Sequence, residues 1–177
     1  MRVIAGVHGG RELVAPRGRN TRPTSDRVRE ALFAILADVS GARVLDLFAG
    51  SGALAIEALS RGAAQAELVD SSASAIEAVR ANLQRLGIEA IVRRETAARS
   101  LQRARADARQ YDLVFLDPPY RHAGSFAGQL TEALVPVLAP DARVVAESDR
   151  RAPLELGLEL LDERRYGDTL IRIHGSR

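Results

Sequence analysis

The residues Asp117, Pro118, Pro119 and Tyr120 combine three groups that could act on a flat base: a carboxylate, a rigid turn and an aromatic ring. They follow an apolar run, residues 111–116, that is typical of a buried strand. The segment is therefore expected at the carboxyl edge of a sheet, where open α/β sheets bind ligands. There Asp117 and the Pro118 carbonyl would accept hydrogen bonds from an exocyclic amine, while Tyr120 would stack on the ring. A turn without catalytic function is the alternative interpretation.

A second segment, residues 46–52, places an acid before a pair of glycines and is called the glycine turn below. Gly50 and Gly52 let the backbone turn sharply and approach a ligand closely, and the helix predicted to follow offers free N–H groups. Asp46 ends the preceding strand, where a carboxylate could hold an ammonium group or simply cap the turn. Asp70 lies twenty residues after Gly50, where it could accept hydrogen bonds from ribose hydroxyls or cap a helix.

The glycines alone do not distinguish two cofactors, because Gly50, Gly52 and Ala55 also fit the loose fingerprint of dinucleotide-binding proteins. Asp46 favours S-adenosylmethionine, since that cofactor has an ammonium group and NAD has none. Its sulfonium is already activated, so positioning would supply most of the catalysis and no metal would be needed. The two segments together predict methyl transfer from S-adenosylmethionine to an amino nitrogen.

Further cofactor contacts are expected from residues next to these segments. Thr96 and Ala97 follow the third predicted strand, where adenine is usually contacted in such sheets. The full predicted cofactor set is Thr24, Asp46, Phe48, Ala49, Gly50, Ser51, Gly52, Asp70, Ser71, Thr96, Ala97 and Asp117. The predicted catalytic set is Asp117, Pro118 and Tyr120.

Strands and helices alternate around both segments. Strands are predicted at residues 44–47, 66–69, 88–92, 112–116 and 143–147. Helices are predicted at residues 53–60, from a cap at Ser72 through 86, after the third strand to about 105, and at 126–138. This alternation implies a parallel sheet with helices on both faces. Residues 154–164 and 166–173 are two extended runs with no helix between them, which predicts an antiparallel hairpin that closes the sheet.

Residues 1–23 are expected to form a basic arm within a single domain that spans residues 1–177. The arm would contain a short hairpin, residues 2–5 and 11–15, as an appendage to the sheet. A helix is predicted to follow it from a cap at Thr24 or Ser25, with Asp26 favourably placed in its first turn.

Composition and charge limit the function classes. Hydrophobic residues at 46% and charged residues at 27% match globular proteins, and no apolar run approaches the roughly 18 residues that cross a bilayer. With no signal peptide, a cytoplasmic protein without membrane partners is expected. The absence of cysteine excludes disulfides and thiolate sites, and three scattered histidines, His8, His122 and His174, make a poor metal set.

Positive charge is concentrated at the amino terminus. Residues 1–30 contain seven arginines and three acidic residues, whereas residues 31–177 contain eighteen arginines and twenty acidic residues. Such a cluster suits phosphate groups and predicts RNA binding beside the mouth of the pocket. The predicted RNA contacts are His8, Arg11, Arg17, Arg19, Arg22 and Arg27.

With these motifs in view, the chain resembles the RNA small subunit methyltransferase D (RsmD) family of Rossmann-like, S-adenosylmethionine-dependent methyltransferases. The resemblance runs nearly from end to end and rests on residues 2–6 with 10–11, 22–33, 46–52, 57–63 and 117–120. The segments 22–33 and 57–63 are far more specific than the loop 117–120, which many methyltransferases share. These two segments indicate the family more specifically than the predicted fold does.

The resemblance implies an α/β class I methyltransferase fold, with a seven-stranded, mostly parallel sheet and an antiparallel carboxyl-terminal hairpin. It implies methyl transfer to the N2 amine of a guanine in 16S ribosomal RNA, within the small subunit or an assembly intermediate. By the same resemblance, the glycine turn and Asp70 would bind the cofactor, and Asp117 and Tyr120 would hold a guanine that is flipped or unpaired. The segment from Arg22 to Arg29 would pack over the cofactor pocket and help to bind RNA.

Two positions depart from the family pattern and three alternative functions stay open. Asp70 stands where the family often has Glu, and Thr96 where related enzymes often have an acid or Asn, which leaves adenine recognition open. A DNA adenine-N6 methyltransferase would use the same loop, but 177 residues leave little room for a target-recognition region. An NAD-binding oxidoreductase lacks a convincing hydride-transfer site, and a noncatalytic RNA-binding module would not need Asp117 and Tyr120. A monomer is expected.

Overall fold

A single seven-stranded sheet organises the part of the chain that the computed structural model describes, residues 1–17, 25–118 and 123–176. Its strands are β1 Arg43–Asp46, β2 Gln65–Asp70, β3 Ile91–Arg94, β4 Tyr111–Leu116, β5 Leu138–Asp149, β6 Glu159–Tyr166 and β7 Thr169–Gly175. They lie in the order β3-β2-β1-β4-β5-β7-β6. The first five are parallel, and β7 is antiparallel to both β5 and β6. The predicted Rossmann-like architecture with a carboxyl-terminal hairpin is confirmed.

In these described segments, five α-helices connect or precede the strands: α1 Asp26–Leu36, α2 Ala53–Ser60, α3 Ala73–Leu86, α4 Ala97–Ala106 and α5 Ala123–Leu134. Side chains alternate along the strands, so the central strands β1, β2, β4, β5 and β7 bury residues on both faces of the sheet. In β4, Leu113 and Phe115 pack with α1, α2 and α3, whereas Val114 and Leu116 pack with α4 and α5. None of the helices in the described segments is long and apolar enough to cross a membrane.

Local capping chemistry sets most of the helix boundaries. The side chains of Ser25, Ser72 and Thr96 accept hydrogen bonds from the first turns of α1, α3 and α4. Gly87, with φ of 66°, ends α3 in the left-handed region. The predictions for α2 and for the cap and end of α3 are confirmed.

Several predicted boundaries were wrong: β5 begins at Leu138 and not at Arg143, and β6 begins at Glu159 and not at Leu154. Two other differences have local causes. The third strand begins at Ile91 and not at Ile88, because the Ile88 N–H donates to the Leu83 carbonyl at 3.0 Å and so belongs to the end of α3. The fifth helix ends at Leu134, where a short 3₁₀ helix containing Pro136 takes over before β5 begins at Leu138. Proline has no N–H to continue the α-helical hydrogen bonds.

Residues 1–14, the N-terminal hairpin, are part of the core and more than an appendage. Arg2 and Glu12 form one antiparallel bridge, while Val3 is fully buried and Leu13 is 7% exposed. The hairpin lies along α2, since the Val7 N–H donates to the Ser60 carbonyl at 2.9 Å and the Ser51 hydroxyl contacts the Met1 sulfur at 3.7 Å. Its open end therefore adjoins the glycine turn, and its tip lies at the far end of α2.

Candidate active site

Three acidic residues follow three adjacent strands at the carboxyl edge of the sheet. Asp46 ends β1, Asp70 ends β2, and Asp117 comes directly after β4. The parallel register sets Asp46 opposite Leu68 of β2 and Phe115 of β4, so the strand ends are level with one another. The sequence prediction that these three carboxyl groups share one edge is confirmed by the sheet topology.

Asp70 fastens the glycine turn to β2. Its side chain is 4% exposed. One carboxylate oxygen accepts from the Gly50 N–H at 3.0 Å, and the other accepts from the Ser72 N–H at 2.8 Å. The Asp70 carboxylate thus fixes the glycine turn relative to the start of α3. This is a capping function within the fold itself.

The surroundings of Asp46 change its acidity. It is 3% exposed and accepts hydrogen bonds from the backbone N–H groups of Phe48 and Ala55. Burial first, and the negative charge of Asp70 second, raise the pKa of Asp46 to about 7, although the two backbone hydrogen bonds oppose this rise. Asp46 therefore caps the glycine turn and also changes charge near neutral pH.

The two glycines of the turn have different surroundings. Gly52 has φ of 80°, and a Cβ there would lie 2.9 Å from a methyl carbon of Leu68 and 3.3 Å from one of Ile56. Gly50 has φ of 56°, and among the described residues the nearest atom to a Cβ would be the Phe48 carbonyl oxygen at 3.9 Å. Gly52 is thus required by packing beneath the turn, whereas Gly50 faces open space on the side where a ligand would approach.

This difference predicts that Gly50→Ala impairs cofactor binding with little effect on the fold. An alanine at positive φ should cost about 1 kcal/mol of unfolding free energy, and the methyl group should lower the affinity for S-adenosylhomocysteine at least tenfold, about 1.4 kcal/mol. Gly87→Ala is the matched control, because Gly87 also has positive φ, 66°, and nothing described lies within 4 Å of its Cβ position. Calorimetric titration and urea unfolding of both variants test this, and equal affinities would contradict it.

The remaining predicted cofactor residues lie around the same edge. Phe48, Ala49 and Ser51 belong to the turn, and the Ala49 N–H donates to the Val69 carbonyl at 3.0 Å. Ser71 is exposed between β2 and α3. Thr96 caps α4 by accepting from the Arg99 N–H at 3.3 Å, and Ala97 is the first residue of that helix. Thr24 lies outside the described residues.

The amine-binding loop is described up to Pro118. Asp117 and Pro118 are half-buried and extend from β4, whose Phe115 carbonyl accepts from the Leu47 N–H at 3.2 Å. This bond joins the start of the glycine turn to the strand that carries Asp117. Pro119, Tyr120 and His122 lie outside the described residues, so the predicted stacking by Tyr120 stays a prediction.

Asn82 is a site residue that the sequence analysis missed. It is fully buried in α3, and its amide oxygen accepts from the Val14 N–H at 2.8 Å. Its amide nitrogen donates to the Val14 carbonyl at 3.0 Å and to the Ser51 carbonyl at 2.9 Å. Asn82 thereby connects the N-terminal hairpin to the glycine turn. A polar residue on the otherwise apolar face of α3 was the signal available in the sequence.

A buried charge cluster holds the hairpin at its middle. Glu57 of α2 accepts from the Ile4 N–H at 2.6 Å, from the Ala5 N–H at 3.0 Å and from Arg61 Nε at 2.7 Å. Arg29 of α1 is fully buried, and its Nη1 lies 4.0 Å from the Glu57 carboxylate. Arg29, Glu57 and Arg61 therefore fasten the hairpin to α1 and α2 and are called the latch below. Arg29 is buried there and is not exposed to RNA.

Arg29 has further partners within α1 and the hairpin. Its Nη2 donates to Asp26 at 2.7 Å and to the Arg2 carbonyl. Removing the hairpin would take the Arg2 carbonyl from Arg29 and the Ile4 and Ala5 N–H groups from Glu57, although Asp26 and Arg61 would still contact these two buried charges. We therefore expect the hairpin to stabilise the layer formed by α1 and α2.

The predicted RNA contacts do not all lie together. Arg11, Arg17 and Arg27 are exposed, and Arg17 follows the open end of the hairpin near the glycine turn. His8 lies instead at the hairpin tip, where its N–H donates to the Ser60 hydroxyl at 3.0 Å. His8 contacts the last residue of α2, and this eight-residue helix is about 12 Å long, so His8 lies about that far from the end of α2 next to the glycine turn. The expectation that His8 lies beside the pocket mouth was therefore wrong, because the hairpin runs along α2. Arg19 and Arg22 lie outside the described residues.

Known proteins are similar to this chain in sequence and in fold. A family model described as Conserved hypothetical protein 95 matches residues 1–175. A Bacillus subtilis (strain 168) protein named "Putative rRNA methyltransferase YlbH" is 40% identical over 183 residues, which span 100% of both chains. Ribosomal RNA small subunit methyltransferase D of Escherichia coli (strain K12) is 41% identical over 122 residues, 68% of this chain and 61% of that enzyme. The matched region is thus less than two thirds of the Escherichia coli enzyme.

Solved structures agree with these sequence matches. The structure named "Putative methyltransferase yhhF from Escherichia coli" is 34% identical, has a TM-score of 0.83, and is matched over 100% of this chain and 98% of that chain. The Thermus thermophilus 16S rRNA N2 G1207 methyltransferase RsmC, solved with AdoMet and guanosine, is 20% identical with a TM-score of 0.70, over 91% of this chain and 45% of that chain, and shows the fold alone. The chain therefore belongs to the family described as Conserved hypothetical protein 95, which is the RNA small subunit methyltransferase D family that its motifs resemble.

Proposed function

We propose that this protein transfers a methyl group from S-adenosylmethionine to the N2 amine of a guanine in 16S ribosomal RNA. One observation carries the proposal: Asp46, Asp70 and Asp117 follow three neighbouring strands and meet at one edge of the sheet. The names of the Bacillus subtilis and Escherichia coli relatives support ribosomal RNA as the substrate. The choice of guanine N2 is supported by the RsmD-like segments 22–33 and 57–63.

The residues of the glycine turn fit S-adenosylmethionine. Asp46 supplies a carboxylate for its ammonium group, Asp70 supplies one for its ribose hydroxyls, and Gly50 leaves space for close approach of the ligand. Because both carboxylates already accept backbone hydrogen bonds, their positions are set before a ligand binds. When bound, the cofactor supplies a methyl group that its sulfonium has already activated.

The chain's own residues then act on the amine. An aromatic amine is a weak nucleophile because its lone pair is delocalised into the ring. Asp117 and the Pro118 carbonyl would accept hydrogen bonds from its two N–H groups, which directs the lone pair toward the methyl donor. The Asp117 carboxylate would also stabilise the positive charge that develops on the nitrogen. Tyr120 would stack on the base and hold its ring in place.

The test is to measure methyl incorporation from labelled S-adenosylmethionine into naked 16S ribosomal RNA, small subunits that lack the modification, and duplex DNA. Label at guanine N2 in one of the two ribosomal substrates is expected, with none in DNA. The modified nucleoside is identified by mass spectrometry after digestion. Label confined to DNA, or found on adenine N6, would overturn the proposal and favour the DNA methyltransferase alternative.

The pKa of Asp46, about 7, predicts a pH dependence of cofactor binding. Below pH 7 the group is protonated and neutral, and above pH 7 it is a carboxylate that attracts an ammonium group. Affinity for S-adenosylhomocysteine should therefore rise as the pH increases from 6 to 8, and binding at pH 6 should release a proton. Calorimetry in two buffers of different ionisation enthalpy measures that release.

Two controls separate Asp46 from the ligand's own titration. Asp46→Asn should abolish the proton release, and 5′-methylthioadenosine, which lacks the ammonium, should bind with little pH dependence.

For the stability of the free protein, the raised pKa of Asp46 has the opposite effect to its effect on binding. The folded state binds the extra proton between about pH 4 and pH 7, so this group's contribution to stability falls as the pH rises through that range. An unchanged proton release in Asp46→Asn would contradict the assigned role.

A further inference from the structure

A cavity of about 340 Å³ lies at the carboxyl-terminal side of the sheet, outside the site described above. Seven residues line it: Arg150, Arg151, Pro153, Glu163, Arg165, Leu170 and Arg172. Four of these are arginines and one is acidic. The charge pattern of this cavity suits an anion and not an apolar ligand.

Two of the lining residues, Arg150 and Arg151, lie at the same edge of the sheet as Asp117. Leu116 of β4 pairs with Ala146 of β5, and β5 continues in parallel to Asp149, so Arg150 and Arg151 lie beyond the edge at which the three acids meet. Strand β6 lies three strands from β4, about 14 Å away at the usual strand spacing. Asp70 lies on the other side of β4, so the cavity occupies the half of the edge opposite the cofactor carboxylates.

The arginines share a small number of carboxylates. Arg150 and Arg151 both lie 3.5 Å from the same oxygen of Asp168. Asp149 accepts the backbone N–H of Arg151 at 2.8 Å. Two guanidinium groups thus lie around one side-chain partner, and pairs this exposed are weak enough to open toward an incoming anion.

The other two arginines form a second group of this kind. Arg165 and Arg172 each lie 2.9 Å from Glu163, and Glu155 contacts Arg172 at 2.8 Å from outside the lining. Arg172 is largely buried, whereas Arg151 and Arg165 are 72% and 73% exposed. The cavity therefore has one largely buried arginine that two carboxylates hold in place, and three arginines, Arg150 included, that are more than half exposed.

Tertiary structure creates this concentration of charge. Residues 150–172 contain five arginines and five acidic residues, so the segment is neutral in sequence. In β6 the side chains alternate: Glu163 and Arg165 face the cavity, while Arg164 donates to Asp162 at 3.0 Å and is not part of the lining. Adjacent arginines on one strand thus have different surroundings.

We propose that this cavity, formed by Arg150, Arg151, Arg165 and Arg172, binds backbone phosphates of the RNA that flank the target base. The planar fork of a guanidinium group binds phosphate oxygens in pairs, and Arg150 and Arg151 follow β5, the strand next to the one that leads to Asp117. This inference rests on the proposed function and deepens it by adding an RNA contact formed by residues 150–172, outside the basic arm of residues 1–23.

The experiment compares two double variants of equal net charge. Arg151→Gln with Arg165→Gln removes the two exposed cavity arginines, and Arg85→Gln with Arg164→Gln removes two arginines that are 55% and 54% exposed elsewhere. Fluorescence anisotropy measures binding of a labelled 16S ribosomal RNA fragment over a series of salt concentrations. The cavity variant should lose at least tenfold in affinity and show a shallower salt dependence. The control variant should change less than twofold.

Three further measurements fix the interpretation. Affinity for S-adenosylhomocysteine and the melting temperature should be the same in both variants and the wild type. Inorganic phosphate at constant ionic strength should not displace the RNA at millimolar concentration; displacement would identify a site for the free anion and overturn the proposal. Equal RNA affinity in the two double variants, whether both fall or neither does, would also overturn it. Because binding is read without methyl transfer, failure of this inference is distinct from failure of the proposed activity.

Discussion

Asp117→Asn is expected to lower kcat for methyl transfer by about 10²–10⁴-fold, the range typical of losing a charged group that acts in the transition state. Asparagine keeps the size of the side chain but removes the negative charge, which would otherwise stabilise the positive charge that develops on the amine. Since Asp117 follows β4 at the edge that Asp46 and Asp70 share, the loss should appear in turnover and not in folding. Single-turnover transfer of labelled methyl to small subunits measures this effect.

Asp112→Asn is the matched control for that variant. Asp112 lies at the other end of the same strand and makes a partly exposed ion pair with Arg43 at 3.0 Å, which should contribute no more than about 1 kcal/mol. Its turnover should stay within twofold of the wild type. Affinity of Asp117→Asn for S-adenosylhomocysteine should also change less than severalfold. Full activity in Asp117→Asn would refute its assignment as the acceptor for the amine.

Glu57→Gln is expected to lower the free energy of unfolding by about 3–5 kcal/mol, the cost of breaking a buried charge pair by removing one partner. Arg29 would stay fully buried with Asp26 as its remaining carboxylate partner, and the Ile4 and Ala5 N–H groups would compete for one amide oxygen. Urea unfolding followed by circular dichroism gives the change. Glu77→Gln, at an exposed position of α3, should change the unfolding free energy by less than about 0.5 kcal/mol.

A double replacement distinguishes charge burial from packing in the latch. If the cost of Glu57→Gln comes from an uncompensated Arg29, then Glu57→Gln combined with Arg29→Leu should be more stable than Glu57→Gln alone. A further loss in the double variant would mean that Arg29 stabilises the hairpin mainly through Asp26 and the Arg2 carbonyl. A loss below 1 kcal/mol for Glu57→Gln itself would contradict the importance of the latch.

The acidic residues of the candidate site were easier to predict than the buried residues that hold the site in place. The sequence patterns that mark the acidic residues are local. A carboxylate after an apolar run, glycines before a helix and a serine cap depend on residues that are close in sequence, so Asp46, Asp70 and Asp117 could be assigned to one sheet edge in advance. Asn82, Glu57 and Arg29 depend on partners across the molecule. Asn82, for example, binds Val14, which lies 68 positions away. Such pairings are not encoded in any short window of sequence.

Local patterns in the sequence were enough to predict the alternation of strands and helices, the family and the residues that could hold a cofactor and an amine. The positions of the charges became known from the folded arrangement of the strands. The N-terminal hairpin runs along α2 and removes His8 from the pocket mouth, and the placement of β7 between β5 and β6 gathers arginines from residues 150–172 into one cavity. The physical reason is that hydrophobic periodicity and turn chemistry act between neighbours in sequence, whereas electrostatic surfaces depend on which distant strands become adjacent.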